Sequence, residues 1–111
     1  MITIEKLQAF GADTQTGLAR CMNKEDFYLK LVGMGLNETR FEELGTALAA
    51  KNLDKAFELC HSLKGVIGNL ALDPLYKEIC EMTELLRAKT DTDYSDSFKK
   101  IMDMREELLN L

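Results

Sequence analysis

Residue 61 is the only histidine in the sequence, and it stands in the run His61-Ser62-Leu63-Lys64-Gly65, with a further glycine at Gly68. At about 100° per residue around a helix, Lys64 falls about −60° from His61, Gly65 about +40° and Gly68 about −20°. The apolar residues Ala56, Cys60, Leu63, Ile67 and Leu70 recur at helical spacing and centre on the opposite side. His61 is therefore expected to face away from the core. Glycine inside a helix weakens it by roughly 1 kcal/mol relative to alanine, and both glycines lie on the histidine's side, where they clear room for something large to approach. Lys64 would set a positive charge beside any anion carried on the ring. A lone helical histidine is more often a surface or packing residue, but an accessible imidazole, a neighbouring cation and a cleared surface together suit a phosphoryl carrier.

Other reactive residues fare worse. Cys60 precedes His61 yet points about 100° away, which argues against a Cys–His nucleophile pair. Cys21, Cys60 and Cys80 form an odd, widely spaced set, expected as reduced thiols, with Cys21 and Cys80 as small buried apolar residues. With no CxxC pair and one histidine, no metal site is expected. Met34, Met82, Met102 and Met104 read as core filler. The pairs Glu42-Glu43 and Glu106-Glu107 read as solvated faces.

Around this stripe, the periodic signal is helical almost throughout. Ile4 and Leu7 give a short apolar face, FGADTQTG reads as a break, and Leu18, Cys21 and Met22 mark a second short segment. From about Lys24 to Leu36, Phe27, Leu31 and Met34 form an i, i+4, i+7 stripe with Tyr28 and Val32 beside it, and Gly33 and Gly35 suggest a bend or a close helix approach. Thr39 and Glu42 have capping-box spacing before the buried positions Phe41, Leu44 and Leu48. Asn52 is the expected N-cap of the helix that carries His61. Asp73-Pro74 reads as an N-cap followed by proline at the first helical position. Leu75, Ile79, Met82 and Leu86 line the next helix, and Phe98, Ile101, Met104 and Leu108 the last. The expected fold is all-α: an antiparallel up-and-down four-helix bundle of about 39–110, from helices near 39–51, 53–70, 73–88 and 95–110, with one or two additional N-terminal helices within about 3–36. One domain is expected over 1–111.

The bulk properties restrict the partners. The 111 residues carry a formal net charge of −5, unsuited to nucleic-acid phosphates. No apolar run is long enough to span a membrane, and MITIEKLQAF lacks the basic and apolar regions of a signal peptide. A cytoplasmic, monomeric protein is expected, and its Met1 start and length favour a free-standing one.

The run HSLKG, followed by Gly68 and Leu70, resembles the HxLKG signature of histidine-containing phosphotransfer (HPt) domains, the four-helix-bundle intermediates of two-component phosphorelays. GADTQTGLARCMNKEDFYLKLV is similar to the segment that leads into that bundle, with Asp13, Gly17-Leu18-Ala19-Arg20 and Tyr28 in familiar places. RFEELGTALAAKNLDKAFELC is similar to the helix and turn before the motif, so the likeness covers about residues 10 to 110. It implies that His61 takes a phosphoryl group from a receiver-domain aspartyl phosphate and passes it to another receiver aspartate. Lys64 would offset the phosphate charge, and Gly65 and Gly68 would admit the receiver. The implied partners are receivers of response regulators and of a hybrid histidine kinase, with no cofactor on this chain and Mg²⁺ on the receiver. No ATP site is expected, because the sequence has no phosphate loop and no kinase motif. Apolar residues of the helix from about Lys24 to Leu36 would border the receiver footprint. Two positions depart from the pattern: Ala71 stands where many members carry glycine, and Val66-Ile67 is bulkier than usual. The competing expectation is a non-catalytic docking or adaptor domain that binds a receiver or kinase without carrying phosphate.

Overall fold

Seven α-helices and no strand make up the chain, for which a computed structural model describes residues 1–111. In order they are α1 (Ile4–Phe10), α2 (Thr14–Arg20), α3 (Glu25–Leu36), α4 (Arg40–Ala49), α5 (Leu53–Asn69), α6 (Asp73–Arg87) and α7 (Ser95–Leu109). The architecture is a helical bundle in which α5 packs between α4 and α6, and α6 packs on α7. No helix is long and apolar enough to cross a membrane.

The core follows the apolar periodicity on α4 to α7. Phe41, Leu44, Ala56, Leu63, Ile67, Leu75, Ile79, Met82, Leu86, Ile101 and Leu108 are all buried. On α3 the expected face is not the buried one. Tyr28, Val32, Gly35 and Leu36 point inward, while Phe27 and Met34 are 47% and 60% exposed. Two apolar stripes at the same spacing compete on this helix, and Tyr28 decides between them. Its hydroxyl donates to the Leu70 carbonyl oxygen at 2.7 Å, and its ring lies where a side chain on Gly17 would be, 2.5 Å from a Cβ built there. Gly35 is a close approach rather than a bend: a Cβ there would lie 2.5 Å from Leu70 Cδ1. With 12 residues α3 is longer than α4 with 10, and it packs on both α5 and α7.

Several start signals resolve differently from the expectation. Asn52 caps α5, its side chain accepting from Lys55 N–H at 3.2 Å. Thr39 makes no capping hydrogen bond and is itself in the right-handed helical region. Its intended partner Glu42 instead takes Arg105 Nη2 at 3.2 Å. Asp73 is the first residue of α6 and Leu72 occupies the cap position, so Pro74 is the second helical residue, where its missing N–H is still harmless. α2 begins inside the run expected to be a break, capped by Asp13. Met22 lies beyond its end and is 75% exposed.

Between α3 and α4 the ladder is interrupted at Asn37–Thr39, and the Leu36 carbonyl accepts Arg105 Nε from α7 at 2.6 Å. The guanidinium also lies 4.9 Å from the centre of the Phe41 ring. One residue of the last helix thus braces the break. Helix ends show another regularity. α2, α4, α5 and α6 each close with a non-glycine residue at positive φ, namely Met22-Asn23, Lys51, Ala71 and Lys89. The following N–H groups reach back in Schellman fashion, as in Leu72 N–H to Ile67 and Thr90 N–H to Leu85. At the chain ends, Lys6 Nζ donates to the carbonyls of Met1 at 3.2 Å and Leu111 at 2.8 Å.

Candidate functional site

α5 separates two roles by face. Ala56, Leu59, Cys60, Leu63 and Ile67 enter the core, and His61 is exposed on the other side. Lys64 and Gly68 are half-buried beside it and Gly65 is exposed. Cys60 is turned away, as the helical angle requires. Its thiol lies 3.5 Å from the Ile79 carbonyl and 3.1 Å from the Thr83 hydroxyl, and burial pushes its pKa up to about 11. Cys21 is buried and Cys80 only partly so.

His61, Lys64, Gly65 and Gly68 line an open groove of about 490 Å³ together with residues of α2 and α6, among them Asp13, Arg20, Asp73 and Tyr76. The structure thus brings together all four residues singled out from the sequence. It also adds one that the helical angles could not show. Arg20 Nη1 donates to the carbonyls of Gly68 at 2.9 Å and Asn69 at 3.1 Å, so it closes the C-terminal end of α5 and places a second cation in the groove. The signal was non-local: 48 residues separate Arg20 from Gly68. Asp13 is engaged in capping α2. Hydrogen bonds from Thr16, first its hydroxyl and then its backbone N–H, hold the Asp13 carboxyl below the usual carboxylate range. Asp13 N–H in turn donates to the Ala71 carbonyl at 2.9 Å, which ties α2 to the α5–α6 turn.

The two glycines differ. A Cβ on Gly65 would meet nothing within 4 Å, so this position is open to an approaching partner. A Cβ on Gly68 would lie 2.8 Å from Tyr76 Cε1. Part of the space cleared at Gly68 is therefore taken up by the Tyr76 ring of α6, while Gly68 itself still lines the groove. Phe27, Leu31 and Met34 of α3 lie outside the groove lining. No hydrogen bond within the protein involves the imidazole. Its close neighbour is Phe57, one turn earlier, whose ring centre is 5.7 Å away at an interplanar angle of 19°.

A larger groove of about 950 Å³ lies toward the other end of α5, between the α4 C-terminus and the start of α7. Leu48, Leu53, Phe98 and Met102 line it, with Asp91, Asp93, Lys51 and Lys99 among its polar residues. It contains none of the candidate site residues His61, Lys64, Gly65 and Gly68.

Residues 36–111 match the family model described as Hpt domain. The chain belongs to this family. Membership supports a phosphotransfer role in two-component systems, and with it an interaction with receiver domains. The matched span of the Hpt domain contains α4 to α7 and every α5 and α6 residue of the groove, while Asp13, Thr16 and Arg20 come from the segment before it. No curated protein matches the chain, and no solved structure does.

Proposed function

We propose that this Hpt domain is a phosphorelay intermediate whose phosphoacceptor is His61. The carrying observation is one of placement: the only imidazole of the chain is exposed in a groove that also holds Lys64 and Arg20, while the opposite face of the same helix is the core. The lone pair of a ring nitrogen attacks the phosphorus of a receiver aspartyl phosphate. The N–P bond forms as the acyl O–P bond breaks, and the carboxylate leaves with its electron pair. The ring's other nitrogen releases its proton to solvent afterwards. Reversal toward a second receiver aspartate delivers the group onward. Positioning and charge carry such a transfer. Lys64 and Arg20 bring positive charge to the phosphorylated groove, Gly65 leaves the approach open, and the receiver brings its own Mg²⁺. The donor is a receiver of a hybrid kinase, the acceptor that of a response regulator, and the setting is cytoplasmic. The chain is a covalent carrier rather than an enzyme with its own ATP site.

Incubation with phosphorylated receivers tests this. The expected result is an acid-labile, base-stable phosphoryl adduct, detected by mass, that is absent in His61→Gln. Lys64→Ala should keep the fold and lower the transfer rate or the adduct's lifetime. If wild type stays unmodified with receivers that are themselves phosphorylated and bound, the domain docks without carrying phosphate.

A further inference from the structure

A nucleophile that makes no hydrogen bond inside the protein has nothing polar to orient it, yet in-line transfer requires a defined ring direction. The structure supplies an apolar substitute. Phe57 is one turn before His61 on α5, so their side chains share a face. The two rings stack with centres 5.7 Å apart and planes 19° from parallel. An offset stack covers one face of the imidazole and leaves the ring edge, which carries both nitrogens, uncovered. Phe57 is in turn held from α6. Arg87 lies with its guanidinium carbon 5.0 Å from the Phe57 ring centre, and Arg87 Nε is fixed to Glu84 Oε2 at 2.9 Å. Glu84, Arg87, Phe57 and His61 thus form a chain of contacts from α6 to the imidazole ring.

We infer that Phe57 is a positioning residue for His61: its ring, backed by Arg87, restricts the imidazole to one orientation with its nitrogen edge free. The inference rests on the reading of His61 as the phosphoacceptor. Phe57 touches no phosphoryl oxygen and acts only through the imidazole. Arg87 acts one step further back, by fixing the Phe57 ring.

Two readouts on the full chain test it, with Phe57→Leu removing the ring and Phe57→Tyr keeping it. The first is the proton NMR signal of the imidazole, unambiguous because the chain has one histidine. In wild type and Phe57→Tyr the ring protons should be shifted upfield by the stacked ring and the χ1 couplings should report a single rotamer. In Phe57→Leu the shift should disappear and the couplings should average. The second is first-order phosphotransfer from a phosphorylated receiver at saturation. Phe57→Leu should lower the rate about threefold to tenfold, the factor to which an aromatic pair corresponds. The receiver concentration at half-maximal rate should be unchanged, and Phe57→Tyr should restore the rate. Equal rates in wild type and Phe57→Leu, or no restoration by tyrosine, would overturn the inference. A wild type that takes no phosphate from any receiver would instead overturn the carrier reading, and a stack still visible by NMR would then be packing alone.

Discussion

The ring of Tyr76 sits where a side chain on Gly68 would be, with Cε1 only 2.8 Å from a Cβ built at that glycine. Gly65, three residues earlier on the same stripe, faces open space. Two glycines that look alike in the motif therefore do different work. Gly68 lets α6 close onto α5, and Gly65 leaves the surface around His61 bare.

Alanine substitutions should separate the two. Gly65→Ala gains helix propensity without a clash and should stabilise the fold by about 0.5–1 kcal/mol, while its added methyl slows transfer from a receiver. Gly68→Ala forces the Tyr76 ring aside and should destabilise by about 1–2 kcal/mol. Urea unfolding measures both, and in a Tyr76→Ala background the sign for Gly68→Ala should reverse.

Ala71, Lys51 and Lys89 adopt φ of 58°, 55° and 53° at the ends of α5, α4 and α6. A left-handed conformation costs a non-glycine residue about 1–2 kcal/mol, and part of that returns as unfolded-state entropy when glycine is introduced. Each single change to glycine should therefore stabilise by about 0.5–1 kcal/mol, visible as a rise of about 2–4 °C in Tm. A fall in Tm for all three would mean that these turns are not strained.

Arg105 serves the break between α3 and α4 in three ways, through the Leu36 carbonyl, the Phe41 ring and Glu42. Arg105→Ala should cost about 2–3 kcal/mol, chiefly by leaving the Leu36 carbonyl without its donor. Glu42 is exposed, so Glu42→Ala should cost less than about 1 kcal/mol. Amide exchange should report the Arg105 effect first at residues 37–41.

Stability should fall in base. Burial pushes the Tyr28 phenol up to about 12 and the Cys60 thiol up to about 11, against ordinary values of 10.0 and 9.0. Both folded-state values are raised, so the contribution is complete below the unfolded value and is lost as pH climbs through the folded one. The window is about pH 9 to 11 for Cys60 and 10 to 12 for Tyr28. Tyr28→Phe should be less stable than wild type at pH 8, having lost the bond to Leu70, but should decline less between pH 10 and 12.

The outward-facing His61 stripe, the α5 and α6 cores and the all-helical class were legible because each depends on spacing within one helix. Residues 56 to 70 needed only the 100° rule to place His61 opposite Cys60, Leu63 and Ile67. α3 was not legible in the same way. Phe27-Leu31-Met34 and Tyr28-Val32-Leu36 are both apolar at helical spacing, and only contacts to Gly17 and Leu70 choose between them. Gly68 illustrates the same limit: the sequence shows that a side chain is missing but not that Tyr76 fills the gap. Thr39 and Asp73 carried the right residue types for capping, but tertiary packing set the helix starts. The left-handed turns carried no glycine to reveal them, and Arg20 and Arg105 act across separations that no local pattern encodes.

The link from Lys6 to the carbonyls of Met1 and Leu111 has a practical side. Five residues after Lys6, Gly11 abuts Pro74, which follows Asp73 in the lining of the His61 groove. Both termini therefore lie toward the end of the bundle that holds Pro74 and the α5–α6 turn, the end that the proposed function gives to the receiver. A surface anchor, fluorophore or affinity handle is better placed in the α6–α7 loop at residues 91–93, at the far end of the bundle. Binding measured with the chain tethered by a terminus should appear weaker than with the chain tethered there.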